Sequence, residues 1–282
     1  MASPTLPVES AAPRAVPPSG DAITFKDVSI SFEGKAVLDG ISFKLAQGEA
    51  KAIFGVAGSG KSTLLKLALG LIKPDAGHIS VLGQEITYMR EEDLFEVRRR
   101  VGMVFQESAL FDSLTVRDNV AFRLTEEHDI SDEEIERRVT EALRFVELEH
   151  TLDKFPSELS GGMRRRVGIA RAMITQPEVI LYDSPTGGLD PVTSNTIIEL
   201  IVKQRDVYKT SSLMVTHRLQ DAFTMANHQF DPKKNEMRKL PRGVRNDIPM
   251  TFMILRDGKA IFDGDIEELI ATKDDYIREY IS

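Results

Sequence analysis

The stretch AKAIFGVAGSGKSTLLKLALGL, residues 50–71, decides the fold of this chain. Residues 50–54 are mostly apolar and predict a short buried strand, and the apolar residues after the glycines predict a helix that ends near Lys73-Pro74. Between them lies the pattern Gly55-x4-Gly60-Lys61-Ser62. Glycines allow successive backbone N–H groups to converge on phosphate oxygens, and the helix that follows points its positive end at the same anion. A strand, a glycine loop and a helix in this order therefore predict a phosphate-binding loop.

The residues of this loop have distinct predicted roles. Lys61 supplies a positive charge near the β- and γ-phosphates of a nucleotide, and the Ser62 hydroxyl is a ligand for Mg²⁺. Asp183 ends another apolar strand, VILYD, where an enzyme with such a loop places a further Mg²⁺ contact that is usually mediated by water. The predicted nucleotide-binding residues of the loop are Gly55, Val56, Ala57, Gly58, Ser59, Gly60, Lys61, Ser62 and Thr63.

Strands and helices alternate along the rest of the chain. A mostly helical stretch runs from about 91 to 175, and a further helix separates the last two parallel strands. The alternation predicts an α/β fold with a mainly parallel sheet covered by helices on both faces. The remaining predicted strands are ITFKDVSISF at 23–32, VLDGISFKL at 37–45, VGMVF at 101–105, VILYD at 179–183, SLMVTH at 212–217 and the hairpin TFMILRDGKAIFDG at 251–264, which turns at Asp257-Gly258.

Composition excludes several function classes. The 282 residues include no cysteine, which excludes disulfide staples, thiolate metal sites and a cysteine nucleophile. The formal net charge of −8 argues against a nucleic-acid binder, whose surface is usually basic. No run of about 18 apolar residues exists, so we expect no membrane span, and the N-terminus lacks the pattern of a secretory signal. A role at a membrane would therefore require a partner.

Two segments do not follow the alternation of strands and helices. Residues 1–21 are rich in Pro, Ala and Ser and predict a disordered tail. Residues 227–250 predict a surface insertion with six basic and three acidic side chains, a net charge of +3. An ordinary surface loop, contact with anionic headgroups and regulation of a dimer are all open interpretations of it. The many acidic residues of 126–149 predict a solvated helix face rather than a metal site.

The motif Leu159-Ser160-Gly161-Gly162-Met163, followed by RRRVGIARAM, resembles the signature of the ABC ATPase family. The resemblance covers about residues 23–225. It implies an α/β P-loop NTPase (RecA-like) core with an antiparallel β subdomain and a helical signature subdomain. The implied ATP-binding domain spans 22–270, with its helical subdomain at about 91–165 and a C-terminal helix at 271–282.

In that family the signature residues Ser160, Gly161 and Gly162 bind the γ-phosphate of ATP held by the opposing subunit. The resemblance therefore implies a homodimer, or a heterodimer with another ABC ATPase, that binds ATP and Mg²⁺. A hydroxyl, two glycines and a helix N-terminus are physically suited to bind an anion.

Four further positions match the family. Phe32 corresponds to the aromatic residue that stacks on adenine, and Gln106 to the Q-loop residue that meets Mg²⁺ and links to the helical subdomain. Asp190, in Gly188-Leu189-Asp190, corresponds to the D-loop that crosses the dimer interface. His217 corresponds to the switch histidine that reaches the γ-phosphate.

The chain departs from the family at Ser184. The family usually places a Glu after the Mg²⁺ aspartate to polarise the attacking water, whereas an unactivated serine hydroxyl has no useful basicity near pH 7. One hypothesis is slow hydrolysis by a homodimer that binds ATP normally. A second is that Asp190 or a partner's residue positions the water, and a third is pairing with another ATPase that carries the Glu.

The segment ESALFDSLTVRDNVAF at 107–122, together with the signature, resembles the ATPases of bacterial Mce/Mla-type lipid transporters. Those ATPases act with a multi-pass permease and a periplasmic lipid-binding protein, which implies a peripheral location at the cytoplasmic face of the plasma membrane. Amino-acid or osmolyte uptake, drug or lipid export, and a non-hydrolysing ATP sensor are the alternatives. An ABC ATPase acting on DNA or ribosomes is disfavoured because the chain lacks cysteine, sustained heptads and a second phosphate-binding loop.

Overall fold

A computed structural model of the chain describes residues 20–126, 130–241 and 243–281. Its central sheet contains β3 (Ala50–Gly55), β6 (Val101–Val104), β7 (Val179–Asp183), β8 (Ser211–Val215), β11 (Met250–Arg256) and β12 (Lys259–Gly264). The strand order is β12-β11-β3-β8-β7-β6, and only the pairing of β12 with β11 is antiparallel. Parallel strands are usually buried on both faces, and β3 and β8 are buried along their whole length. The predicted parallel sheet is confirmed.

A smaller antiparallel sheet lies beside it, with the order β2-β1-β4-β5. The alternation of residues predicted its two long strands, β1 (Asp21–Phe32) and β2 (Lys35–Ala46). They pair in antiparallel orientation, and the rings of the opposite residues Phe25 and Phe43 stack. Sequence reasoning missed β4 (Ala76–Val81) and β5 (Gln84–Glu85). These strands are short, and β4 is defined by its pairing with β1, about 50 residues earlier, rather than by a local pattern.

Helices cover the central sheet. They are α1 (Lys61–Ala68), α2 (Glu91–Arg99), α3 (Val116–Thr125), α4 (Asp132–Phe145), α5 (Gly161–Met173), α6 (Pro191–Tyr208), α7 (Leu219–Asn227), α8 (Ile266–Ala271) and α9 (Asp275–Ile281). One hydrophobic cluster packs α1 and the antiparallel sheet against one face of the central sheet. A second cluster packs helices α3, α4, α5 and α6 against the other face. None of the helices in the described ranges is long and apolar enough to cross a membrane.

The acidic stretch 126–149 is largely α4. The carboxylate of Glu134 pairs with Arg137 and Arg138 of the same helix, and the buried side of α4 is apolar. No group of three or more potential metal-ligating side chains occurs within the described ranges. The prediction of a solvated helix face therefore agrees with the structure outside residues 127–129, which are not described.

The predicted insertion contains a two-stranded hairpin, β9 (His228–Asp231) and β10 (Glu236–Lys239). A buried ion pair at the end of α6 anchors it. Arg205 donates to the backbone oxygen of His228 at 2.9 Å, and Asp206 accepts from the backbone N–H of Phe230 at 2.7 Å. The segment is thus a surface element with its own strands and buried anchor, a feature that the count of basic residues did not reveal.

The predicted tail at 1–21 lies outside the described residues except for Gly20 and Asp21, and β1 begins at Asp21. At the other end, the predicted hairpin β11–β12 turns at Asp257-Gly258 as expected. The chain then closes with α8 and α9 in place of one helix, because Asp265 caps α8 and the chain leaves the helix at Thr272.

Candidate functional site

The loop from Gly55 to Gly60 connects the end of β3 to the start of α1. Gly60 has φ of 96°, and a Cβ atom there would lie 2.5 Å from Leu38 Cδ2 and 3.0 Å from the backbone oxygen of Val37. At Gly55 a Cβ would lie 2.6 Å from the backbone oxygen of Leu255. Both positions therefore require glycine, and the loop curls tightly beneath the N-terminus of α1. Its remaining residues Val56, Ala57, Gly58 and Ser59 complete the curl, and Ser62 and Thr63 lie in the first turn of α1.

Lys61 reaches back across this loop. Its Nζ donates to the backbone oxygens of Gly55 at 2.7 Å and Val56 at 2.8 Å. Burial lowers the pKa of Lys61, and the negative charge of Asp183 opposes that effect. Among the residues that the structure describes, no carboxylate lies within ion-pair distance of this ammonium. The ammonium also donates to the Ser59 hydroxyl at 3.3 Å. An ammonium held only by oxygens of the glycine loop among the described residues is suited to bind a phosphate group.

Asp183 ends β7, and Ser184 follows it with φ of 43°, a left-handed conformation that bulky residues avoid. Ser184 is buried, and its hydroxyl donates to Asp183 Oδ1 at 3.3 Å. The hydroxyl is therefore directed at the carboxylate that the sequence predicts to contact Mg²⁺. The side chains of Asp183, Ser62 and Gln106 each carry a hard oxygen donor of the kind that suits Mg²⁺, an ion that takes few protein ligands beside substrate phosphates.

Gln106 follows β6 and lies against the turn after Ser184. A Cβ at Gly187 would lie 3.5 Å from both Cγ and Nε2 of Gln106. The backbone N–H of Gly187 donates to the backbone oxygen of Ser184 at 2.9 Å, which closes the turn. The fold thus brings the predicted Q-loop residue Gln106 close to the turn that begins at Ser184, the position that differs from the family.

Asp190 caps the N-terminus of α6. Its Oδ1 accepts from the backbone N–H groups of Val192 and Thr193, both at 3.0 Å, and its Oδ2 accepts from the Thr193 hydroxyl at 2.5 Å. These hydrogen bonds, the Thr193 hydroxyl first, lower the pKa of Asp190. Because the carboxylate is engaged in capping, the geometry argues against the hypothesis that Asp190 positions the attacking water.

The signature residues Gly161 and Gly162 lie beside the segment that leads into α6. Ser160 caps α5, with its Oγ accepting from Met163 N at 3.2 Å, and a hydroxyl used in this way keeps its proton for another acceptor. The side chains nearest to Gly161 and Gly162 are Leu189 and Thr193. The N-terminus of α5, whose partial positive charge is suited to an anion, thus lies beside the start of α6.

Two other predicted residues are accessible. Phe32, at the end of β1, is 48% exposed, as an aromatic residue that stacks on a nucleobase must be. His217 follows β8 and is exposed. Sequence reasoning missed Asp221, whose carboxylate accepts from the Thr186 hydroxyl and whose pKa is raised by burial. No local pattern identifies it, since the contact joins residues 35 positions apart.

Comparison with known proteins places these features in one family. The model of the ABC transporter family matches residues 38–187. The chain is 36% identical to the chloroplastic protein TRIGALACTOSYLDIACYLGLYCEROL 3 of Arabidopsis thaliana, over 92% of this chain and 72% of the relative. It is 32% identical to the intermembrane phospholipid transport system ATP-binding protein MlaF of Haemophilus influenzae, over 89% of this chain and 87% of the relative.

Other relatives are named as transport proteins for different substrates. They include a probable ribonucleotide transport ATP-binding protein and a methionine import ATP-binding protein, and the chain spans 61% and 51% of their lengths. Among solved structures, a dimeric post-hydrolysis ATP-binding cassette bound to ADP and Pi superposes with a TM-score of 0.72 at 28% identity, over 86% of this chain and 98% of that one. The chain therefore belongs to the ABC transporter family, as an ATP-hydrolysing subunit with the α/β cassette fold.

Proposed function

We propose that this subunit powers the transport of phospholipid-type lipids through an integral membrane permease, to which it binds at the cytoplasmic face of the membrane. The observation that carries the lipid assignment is the share of each relative's length that this chain matches. The match to the intermembrane phospholipid transport protein extends over nearly the whole of both chains, whereas the methionine import relative matches over about half of its own length. A periplasmic or membrane lipid-binding protein is the further partner that such a system requires.

A second candidate is an importer of amino acids. Its support is that the methionine import relative has 37% identity to this chain, no lower than the identity to the phospholipid transport relative. The two candidates differ in what the permease moves. Reconstitution of the subunit with its permease in vesicles separates them: ATP-dependent movement of a fluorescent phospholipid supports the first candidate, and ATP-dependent uptake of labelled methionine without lipid movement rejects it.

In the proposed ATP cycle, Phe32 stacks on the adenine, and the loop Gly55–Thr63 wraps the phosphates. Lys61 exchanges its two loop carbonyls for phosphate oxygens as the nucleotide enters. Ser62, Asp183 and Gln106 would hold Mg²⁺, which neutralises charge on the β- and γ-phosphates. His217 then reaches the γ-phosphate from the end of β8.

We further propose a head-to-tail dimer. Gly161 and Gly162 lie beside Leu189 and Thr193 at the start of α6. In the proposed dimer, ATP bound to the opposing subunit completes the anion site that Ser160, Gly161 and Gly162 form at the start of α5. ATP binding would close two subunits and hydrolysis would reopen them, while the loop at Gln106 transmits the motion to the permease.

Hydrolysis is proposed to be slow in the homodimer. A general base is typically worth about 10²- to 10⁴-fold in rate, and no carboxylate stands at position 184. Asp190 is occupied as a helix cap, and the Ser184 hydroxyl donates to Asp183. Turnover then depends on positioning and charge stabilisation by Lys61, Mg²⁺, His217 and the opposing Ser160.

The test of the ATP cycle is turnover of the purified protein, alone and with its permease, in the wild type and Ser184→Glu. A slow wild type that Glu accelerates supports a natively weakened site and directs attention to a second ATPase partner. A fast wild type that Glu leaves unchanged rejects slow hydrolysis and requires another group to position the water.

A further inference from the structure

The side chain of Arg165 joins three segments of the site that lie far apart in sequence. It lies in the second turn of α5, and only 5% of the residue is exposed. Its Nη1 donates to the backbone oxygen of Phe105 at 2.9 Å, and its Nη2 donates to that of Gly187 at 3.1 Å. A guanidinium is suited to this task because its donors form a rigid planar fork.

The two acceptors belong to the segments whose positions matter most for hydrolysis. The Phe105 carbonyl is part of the peptide bond that leads into Gln106. Gly187 closes the turn that begins at Ser184, and a Cβ atom there would lie within 3.5 Å of the Gln106 side chain. Arg165 therefore sets the distance between the Q-loop and the turn after Asp183, and it links both of them to the signature helix.

The neighbouring arginines do not share these contacts. Arg164 donates to the Leu159 oxygen at 2.6 Å, within its own segment, and Arg166 donates to the Val146 oxygen at 3.2 Å, on the far side of α5. Arg171 donates to the oxygens of Ser108 and Ala109 and so holds the Q-loop beyond Gln106. Of the three consecutive arginines, Arg165 alone reaches the loops around Asp183 within the described part of the chain.

The Nε of Arg165 is a buried donor without an acceptor among the described residues. An unsatisfied buried donor is costly, so its retention calls for a reason. Burial lowers the pKa of Arg165, and the nearby charge of Glu107, the residue after Gln106, opposes that effect. Among the described residues, the guanidinium thus keeps one donor free beside the loop that carries Gln106.

We propose that Arg165 is a positioning residue for ATP hydrolysis, which acts on the reaction through Gln106 and the Ser184–Gly187 turn rather than by touching the nucleotide. The proposal rests on the roles assigned above to Gln106 and Asp183. We expect the effect of Arg165 on hydrolysis to be larger because residue 184 is a serine. A site without a carboxylate general base depends more strongly on the placement of its remaining groups.

The test compares Arg165→Lys with Arg166→Lys, a matched change on the same helix, in the full-length protein. Lysine keeps the charge but cannot bridge two carbonyls as a planar fork does. We expect kcat to fall by about 10- to 100-fold in Arg165→Lys, since a small misplacement of reacting groups costs up to about 10²-fold. The KM for ATP, the Kd for a fluorescent ATP analogue and the melting temperature should match those of Arg166→Lys.

A proportional rise in KM or Kd, or an equal loss of kcat in both variants, would overturn the proposal. Should Arg165→Lys be unstable, Arg165→Gln keeps a side-chain donor without charge, and the same criteria apply. The double variant Arg165→Lys/Gln106→Ala gives a second readout: if Arg165 acts partly through Gln106, the two losses in kcat are less than additive. Full additivity, with the turn after Ser184 unperturbed in hydrogen exchange, contradicts the proposal.

Failure of the assigned Gln106 role is distinguishable from failure of this proposal. If Gln106→Ala alone leaves kcat unchanged, the role of Gln106 in the proposed ATP cycle is rejected. A selective loss of kcat in Arg165→Lys would then still support Arg165, acting through the Ser184–Gly187 turn.

Discussion

The loop Gly55–Lys61 and the turn Ser184–Gly187 lie at the same edge of the central sheet, at the carboxyl ends of β3 and β7, with β8 between them. The first region has two glycines that sterics require and, among the described residues, an ammonium with no carboxylate within ion-pair distance. The second holds Asp183, the proposed Mg²⁺ contact, but has a hydroxyl where the family usually has a carboxylate. The difference teaches that nucleotide binding and water activation are built separately and can be weakened separately.

The largest expected effect comes from breaking the first region with Lys61→Ala. Loss of the ammonium removes charge stabilisation at the phosphates, so turnover should fall by about 10²- to 10³-fold. Phosphate release measured with enzyme in excess over ATP would detect it even in a slow wild type. Lys66→Ala is the matched control, since Lys66 is exposed on the same helix, and a comparable loss there would contradict the assignment.

The next effect sharpens the second region. Ser184→Glu supplies the missing carboxylate, and turnover should rise by about 10²-fold. Ser184→Gln is the matched control, because glutamine has the shape of glutamate but is not a base. It should give no rise in steady-state phosphate release. An equal gain in both variants would show that the side chain acts through packing and not as a base.

A smaller effect is expected at Asp190, which borders the second region. Asn is as good a helix cap as Asp but carries no charge, so Asp190→Asn should change turnover by less than about tenfold, or roughly 1.4 kcal/mol of barrier. Asp190→Ala should lower the melting temperature in thermal unfolding because α6 loses its cap. A loss of turnover in Asp190→Asn equal to that in Lys61→Ala would restore Asp190 as a residue that positions water.

The smallest effect is expected at the hairpin β9–β10, remote from both regions. Its anchor at Asp206 lies 16 residues beyond Asp190, or about 24 Å along α6. Charge reversal of exposed Lys233 and Lys239 should therefore leave ATP turnover unchanged, with and without the permease. A change only in the presence of the permease would instead assign the hairpin to partner contact or regulation.

Local patterns predicted much of the fold. Alternation in β1 and β2, the apolar runs of β3, β7 and β8, and the turn at Asp257-Gly258 all match the structure. The strands β4 and β5 and the hairpin β9–β10 were not predicted, because their stability comes from partners distant in sequence. Short strands with glycine and charged residues have too weak a periodicity to be recognised without those partners.

The sequence by itself determined the family, the glycine cradle, the position of Lys61 and the substitution at Ser184, because each is a spacing of residue types along a continuous segment. Only the tertiary structure decided that the Asp190 carboxylate is engaged as a cap, that the Ser184 hydroxyl points at Asp183, and that one buried arginine ties Phe105 to Gly187. Hydrogen bonds between side chains and distant backbone carbonyls depend on how strands and helices pack, and no spacing along the chain encodes them.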